Sequence, residues 1–446
     1  MSDLLRKLPL DPRVTVRTTC RACGSADLDF LYSLGVQYVS DFPDRATRYD
    51  DPTCGVKCPI DLMLCKGCTM VQLAHTAPQE LLYTRKYWYK SGTTQTMCEA
   101  LRDVTAAVER TVDLQPGDVV LDIGSNDGTL LRSYSAPGIV RVGVEPASNL
   151  RIEGEVGVDF LIDDFWGTDR ALTRYGSLLD EKKAKAITAA GMLYDLEEPN
   201  IFVADVAKAL APDGVFVAQL MCLKNMMDSH DVGNFAHEHL EYYSLRSLRT
   251  LLDKHGLGIF DVETNKVNGG SYRLFVCHNG VSESEINIRE GAAERIIRAF
   301  GAEYGLDDVA RHREGFRKLE VNKGKVLSFL QLARSAGKRT WIYGASTKGN
   351  VILQWCGIDG SLIDAAADKS EEKWGKWTVG ANIPIRSEDE FRRAAPDYAL
   401  VLPYAFRSEF IEREKVWLQQ GGKFLFPLPS PELVYVQDGK TTIEAL

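Results

Sequence analysis

Apolar and polar positions recur along the chain on two periods, and the switches between them outline its architecture. Residues 119–123 form an apolar run ending in Asp122 and Ile123; Gly124 and Gly128 follow, and apolar residues restart at Leu130. That order predicts a buried strand, a tight turn and a helix start. Further apolar runs at 142–145, 160–166, 186–188 and 214–220 alternate with helical spacing, which predicts a parallel sheet. Runs at 258–263 and 271–277, joined through Asn268, Gly269 and Gly270, predict an antiparallel hairpin at the sheet edge. A helix is expected over 97–112, ahead of the first strand, and another after Ser244. Beyond a charged helical stretch at 281–336 the scheme begins again: a strand at 340–343, a glycine turn at Gly344 and Gly349, a helix, a strand closing at Asp368, and runs at 398–402 and 423–426.

The chain is therefore predicted to be α/β, with two Rossmann-like domains behind a small N-terminal module and boundaries at 1–76, 77–280 and 281–446. Its 446 residues suffice for about three domains. The net charge of -9, with no Lys/Arg-rich block, argues against a nucleic-acid partner. No apolar run reaches the roughly 18 residues that span a bilayer, and the N-terminus lacks a signal-like apolar core, so a cytoplasmic setting is expected. Of ten cysteines, six fall between residues 20 and 68. In that setting the clustering points to metal. Cys20 with Cys23 and Cys65 with Cys68 make two knuckles whose four thiolates suit one tetrahedral zinc, leaving no open position for catalysis. Cys54 and Cys58, in the long loop between the knuckles, could substitute as ligands.

The first glycine corner lacks the third glycine of the dinucleotide pattern. Asp122 closes its strand and Glu145 closes the next, where a carboxylate suits two ribose hydroxyls. An adenosine ligand without a diphosphate fits, and S-adenosylmethionine answers that description. The edge hairpin suits the methyltransferase variant of such a sheet. Tyr83, Tyr87, Trp88 and Tyr89 read either as packing or as phenols beside the ligand cleft. Residues 234–244 carry His237, Glu238 and His239. Read as an extended loop, this segment is expected to turn only one histidine to the pocket, as a general base beside an orienting carboxylate. In the second half Lys348 precedes Gly349, which excludes a P-loop but leaves a helix start fit to seat a diphosphate.

The ordered set of zinc knuckles, Y-x-Y-x-S-G, D-I-G-S-N-D-G-T-L-L, H-E-H-x-x-Y-Y-S, N-G-G-S-Y-R and Y-G-A-S-T-K-G resembles the three-domain sugar C-methyltransferases that act on nucleotide-activated keto-deoxysugars. The resemblance implies S-adenosylmethionine at Asp122, Gly124, Asn126, Gly128 and Glu145, with Phe165 and Trp166 near the adenine. It implies one structural zinc, and a nucleotide diphosphate held mainly by the C-terminal half. It gives His239 the role of base, with Glu238 beside it and Tyr89 or Tyr87 assisting. Substrate contacts would fall on Tyr194, Asn268, Arg273, Tyr343 and Lys348. The chain departs from the family at Ala190 and Tyr194, where an Asn-x-x-x-His is common, and at Ala236, where a tyrosine is common. Those departures leave Tyr194, Asn234 or Asn268 to stabilise an enolate. Two other readings are an O- or N-methyltransferase and a nucleotide- or partner-binding module without turnover.

Overall fold

A computed structural model of the protein describes residues 10–46, 55–84, 87–281 and 286–446. In the N-terminal module, strand β1 (Thr15–Val16) pairs antiparallel with β5 (His75–Thr76), while β2 (Leu28–Tyr38), β3 (Lys57–Cys65) and β4 (Val71–Leu73) form a meander. Ile60, Leu62 and Leu64 of β3 are fully buried, so this small sheet contributes to a continuous core. Its fourth strand is borrowed from far along the chain, at residues 241–242.

The central sheet contains β6 (Val119–Ile123), β7 (Val140–Val144), β8 (Phe160–Ile162), β9 (Ala184–Ala190) and β10 (Leu210–Met221) in parallel. The borrowed strand is β11 (Glu241–Tyr242), and the hairpin β12 (Leu257–Asn265) and β13 (Ser271–His278) completes the sheet in the order β12-β13-β10-β9-β6-β7-β8. The edge hairpin is antiparallel, as its turn residues predict. Strand order reverses at β6, the place beyond the strand carboxyl ends where open α/β sheets bind their ligands. Thr94 caps the helix Gln95–Thr111 by accepting from the Met97 N–H, and Ser244 closes a capping box with Ser247 on the helix Leu245–Asp253.

One expected element is reduced. After Gly128 the chain makes only a 3-10 turn, Leu131–Ser133, in place of an α-helix. Tyr134 is already extended at ψ 132°, and Pro137 draws the residue before it away from helical geometry. Leu101, Val104 and Val108 of the helix Gln95–Thr111 cover Leu130 and Leu131 instead.

The C-terminal sheet comprises β14 (Thr340–Tyr343), β15 (Ala365–Asp368), β16 (Ile385–Ser387), β17 (Tyr398–Val401), β18 (Lys423–Phe426), β19 (Glu432–Gln437) and β20 (Lys440–Ala445), ordered β16-β15-β14-β17-β18-β19-β20. The first five are parallel, and β19 and β20 add an antiparallel edge that the apolar pattern did not reveal. The reason is that β20, Lys440–Ala445, is almost wholly exposed and carries little apolar signal. The charged stretch contains two helices, Ala292–Ala302 and Val309–Ser335. Gln354 ties this sheet to the N-terminal module by gripping both backbone polar groups of Tyr38, at 2.9 and 3.1 Å.

Phe216 lies fully buried in the middle of β10, facing Val276 across the ladder. Phe216→Ala is expected to cost about 3–5 kcal/mol through lost burial and a cavity, read as a lowered urea midpoint.

Candidate active site

The two knuckles meet. Among the described residues, the ligand atoms of Cys20, Cys23, Cys65 and Cys68 all lie within 4.8 Å of one another, with Sγ–Sγ distances of 3.6 Å (Cys20–Cys68) and 3.4 Å (Cys23–Cys65). A tetrahedron with metal–sulfur legs of about 2.3 Å has edges of about 3.8 Å, so the cluster fits a zinc ion. Cys58 stands outside it, its thiol turned to the Pro59 carbonyl at 3.6 Å, and Cys54 lies outside the described residues.

At the first glycine corner Gly124 and Gly128 both take positive φ, 74° and 77°. A Cβ on Gly124 would come within 2.9 Å of Met192, so only glycine fits there. Asp122 accepts from the Thr188 hydroxyl at 2.6 Å, and Glu145 accepts one backbone N–H on each oxygen, from Asn126 at 2.9 Å and Ala147 at 2.8 Å. Burial lifts both carboxyls to about 7, against those hydrogen bonds. Each Glu145 oxygen keeps a second acceptor direction, which suits a pair of ribose hydroxyls and therefore the adenosine of S-adenosylmethionine. Asn126, at φ 52°, accepts from the Ser91 N–H and donates to the Tyr89 carbonyl, while Asp127 accepts from the Gly92 N–H at 2.7 Å. Asn149 holds both backbone polar groups of Tyr87. The corner thus carries the aromatic segment 87–93 directly against itself. Phe165 is half-buried and edge-on to Tyr83, whereas Trp166 is packed into the core edge-on to Tyr175.

The two histidines of segment 234–244 part company, but by a turn. The His239 N–H closes on the Ala236 carbonyl at 3.0 Å. In an extended strand residues two apart would share a side. His237 donates from Nε2 to the Cys58 carbonyl at 2.9 Å and is structural. His239 donates from Nδ1 to the Asn234 carbonyl at 2.8 Å, which leaves Nε2 with the lone pair. Asn234, rather than Glu238, orients this ring. Burial, seconded by the Lys348 charge, pushes its pKa down to about 3, so it is neutral at physiological pH. Tyr194 stands edge-on to it with ring centroids 4.7 Å apart.

Around this pair the structure gathers Glu238, Asp195, Tyr87 and Lys348. One Asp195 oxygen and one Glu238 oxygen are buried without a hydrogen-bond partner. Burial raises both carboxyls, and the Lys348 ammonium opposes it. Burial also raises the Tyr87 hydroxyl, with Asp195, Tyr194 and Glu238 adding to the effect. Tyr89 is 45% exposed, edge-on to Tyr87. Lys348 reaches the group from the N-terminal turn of the helix Thr347–Cys356, whose Ser346 cap accepts from the Gly349 N–H.

Two candidates are not brought here. Arg273 is spent in the edge hairpin on Gln219, Glu263 and Asp103, where a nearly buried guanidinium must be paired. Tyr343 points into the C-terminal core among Phe391, Phe410 and Phe424 and binds Glu414 at 2.7 Å, so it serves packing. The Asn268 side chain lies outside what the structure describes. Sequence reasoning missed Asp195, Asp127 and Asn149. A carboxylate a few residues past the end of β9, on the ligand side of a parallel sheet, was the available signal for Asp195.

Two expectations follow from this geometry. Metal analysis of purified protein should find about one zinc per chain, and chelation should lower the unfolding temperature. For Asp122, raised to about 7, the folded chain holds a proton across a pH window in which the unfolded chain has lost it. The contribution of Asp122 to stability therefore falls as pH rises from about 4 to about 7. In Asp122→Asn that component is absent, and the drop in unfolding midpoint between about pH 5 and about pH 7.5, measured without cofactor, should be smaller than in the wild type.

Three family models tile the chain: a zinc binding domain at residues 20–83, a methyltransferase domain at 95–262, and a C-methyltransferase C-terminal domain at 266–429. The chain is 28% identical over 437 residues to C-methyltransferase NovU of Streptomyces niveus, covering 97% of this chain and 99% of that protein. Among solved structures, an S-adenosylmethionine-dependent methyltransferase of Clostridium acetobutylicum aligns at 14% identity over 41% of this chain and 92% of its own, with a TM-score of 0.32. Magnesium protoporphyrin IX methyltransferase of Synechocystis, solved with bound SAM, aligns at 13% identity over 42% and 79%, with a TM-score of 0.30. The chain thus joins, in order, a zinc binding domain, a methyltransferase domain and a C-methyltransferase C-terminal domain, and it is a methyltransferase homologous over nearly its whole length to a C-methyltransferase.

Proposed function

We propose that the protein methylates a carbon next to the ketone of a nucleotide-activated keto-deoxysugar, with His239 as the base. The observation that carries this reading is the meeting of a neutral, oriented imidazole with two phenols and a helix-borne lysine at the mouth of the cofactor corner. Bound S-adenosylmethionine supplies a methyl group on a sulfonium, ready for attack by a carbanion. The protein's own residues have three tasks. His239 Nε2 takes the proton from the carbon acid, since Nδ1 is fixed on Asn234. Tyr194, at the position where the family commonly has a histidine, and Tyr87 offer hydroxyls to the oxygen on which negative charge develops. Segment 87–93, held by Asn126, Asp127 and Asn149, covers the corner and keeps water from the reacting atoms.

Lys348 is the cation that would meet a diphosphate, supported by the helix start from which it extends. Its charge also depresses His239. An anionic substrate placed on Lys348 would offset that charge and return basicity to the imidazole when the carbon acid arrives. The division of labour follows: residues 1–76 carry zinc, 77–280 the methyl donor, and 281–446 the nucleotide part of the acceptor. No helix among the described residues is long and apolar enough to cross a membrane, and a cytoplasmic biosynthetic role is consistent with this.

A screen of nucleotide-activated keto-sugars with isotopically labelled cofactor tests the reading. His239→Asn is expected to lose about 10²–10⁴-fold in methyl transfer and in deuterium exchange at the carbon beside the ketone, with S-adenosylhomocysteine binding changed less than about twofold. Full activity in His239→Asn would refute the base assignment, and methyl transfer without such exchange would favour O- or N-methylation.

A further inference from the structure

Between Cys20 and Cys23 lies an arginine that is buried to 1% exposure. A knuckle needs only a tight turn to present its sulfurs, and a buried guanidinium is costly unless its donors are matched. Each nitrogen of the Arg21 guanidinium has a partner. Its NH1 donates to the Leu73 carbonyl at 2.6 Å, its NH2 to the Thr76 hydroxyl at 2.7 Å and to Glu197 at 3.1 Å, and its Nε to Glu197 at 3.2 Å. The Arg21 backbone N–H donates to the Gln72 side chain, whose amide returns to the Thr19 carbonyl at 3.0 Å.

The residues gripped are those that hold the base segment. Leu73 turns its own N–H to the Leu240 carbonyl at 2.9 Å, one residue after His239. Gln72 pairs with Glu241 and Val71 with Tyr242 in the strand borrowed by the N-terminal sheet. Glu241 is fully buried, neither carboxyl oxygen has a hydrogen-bond partner, and the Arg21 and Arg17 charges both act on it, with Arg21 Nε 3.9 Å from a carboxyl oxygen. Tyr242 in turn donates to the His239 carbonyl at 2.9 Å.

We infer that Arg21 is a positioning residue for His239, carrying the rigidity of the zinc knuckle through Leu73 and Glu241 into the segment that bears the base. Arg21 touches neither cofactor nor substrate, and it acts by fixing where Leu240 and Glu241 lie. The inference rests on the assignment of His239 as base, and through it the N-terminal domain becomes part of the catalytic apparatus.

The test uses full-length, zinc-loaded protein carrying Arg21→Met. Hydrogen exchange is read by mass spectrometry on peptides spanning 234–243 and 119–128, and the histidine rings are observed by NMR after nitrogen-15 labelling. The His239 ring signal is identified by its loss in His239→Asn. Exchange at 234–243 should rise about tenfold or more while 119–128 stays unchanged. The His239 ring signal should shift or broaden while those of His278 and His312 hold. Zinc should remain at about one per chain, and S-adenosylhomocysteine affinity, measured by calorimetry, should stay within about twofold. Unmoved exchange and an unmoved His239 signal with zinc in place would overturn the inference, as would loss of the metal, which would make Arg21 a support of the knuckle itself. If Arg21→Met does not fold, Glu241→Gln decides by the same readouts, with the same outcomes. Full methyl transfer by His239→Asn would sink the base assignment and leave the exchange result standing. An unmoved ring signal beside an inactive His239→Asn would sink only the role of Arg21.

Discussion

Burying a peptide segment away from water requires a partner for every backbone polar group, and the segment around His239 meets that demand from the rest of the chain. The Leu240 and Glu241 N–H groups both reach the Tyr194 carbonyl, the Leu240 carbonyl is met by Leu73, and the Glu238 carbonyl is met by the Tyr83 hydroxyl at 2.6 Å. His237 spends its ring on the Cys58 carbonyl. The central sheet, the N-terminal module and the aromatic lead-in therefore all set the position of one imidazole. A small zinc-stapled sheet is a reasonable donor of such contacts, since four metal bonds hold it rigid where its apolar core alone is modest.

The electrostatics of the cleft follow from the same desolvation. Burial holds His239 uncharged and lifts Asp195 and Glu238 above the ordinary carboxylate range, while Lys348 is pulled down by burial and sustained by Asp231, Glu238 and Asp195. Charges in such a site are strongly felt, because little water screens them. On the proposed reading, an anion placed at Lys348 would be felt at His239 through charge alone, with no part of the protein moving. Glu238 belongs to this charge balance, and the Asn234 carbonyl does the orienting that the adjacent carboxylate was expected to do.

Much of this was legible in the sequence where one local pattern determines one local structure. The strand Val119–Ile123, the edge hairpin and the zinc knuckles depend on apolar period, turn residues and cysteine spacing, and all are where those signals put them. Residues 131–133 break the pattern: the apolar restart predicts a helix, but Pro137 draws the chain out of helical geometry. The exposed edge strand Lys440–Ala445 offered no apolar period to read. Long-range pairing was harder still. Nothing near Glu241 and Tyr242 announces that they complete a sheet begun at Leu28, and nothing near Arg273 or Tyr343 shows that their polar ends are already spent on Gln219 and Glu414. Such facts depend on which residues distant in sequence share a buried space, and hydrophobic patterning records only that a position is buried.

Carbon methylation beside the ketone is decided by where the methyl group goes. Product formed from cofactor labelled with carbon-13 in the methyl group, and from acceptor labelled with carbon-13 beside the ketone, should show a one-bond carbon–carbon coupling by NMR. A methyl signal coupled to no ring carbon, at the shift of a methyl on oxygen or nitrogen, would contradict it.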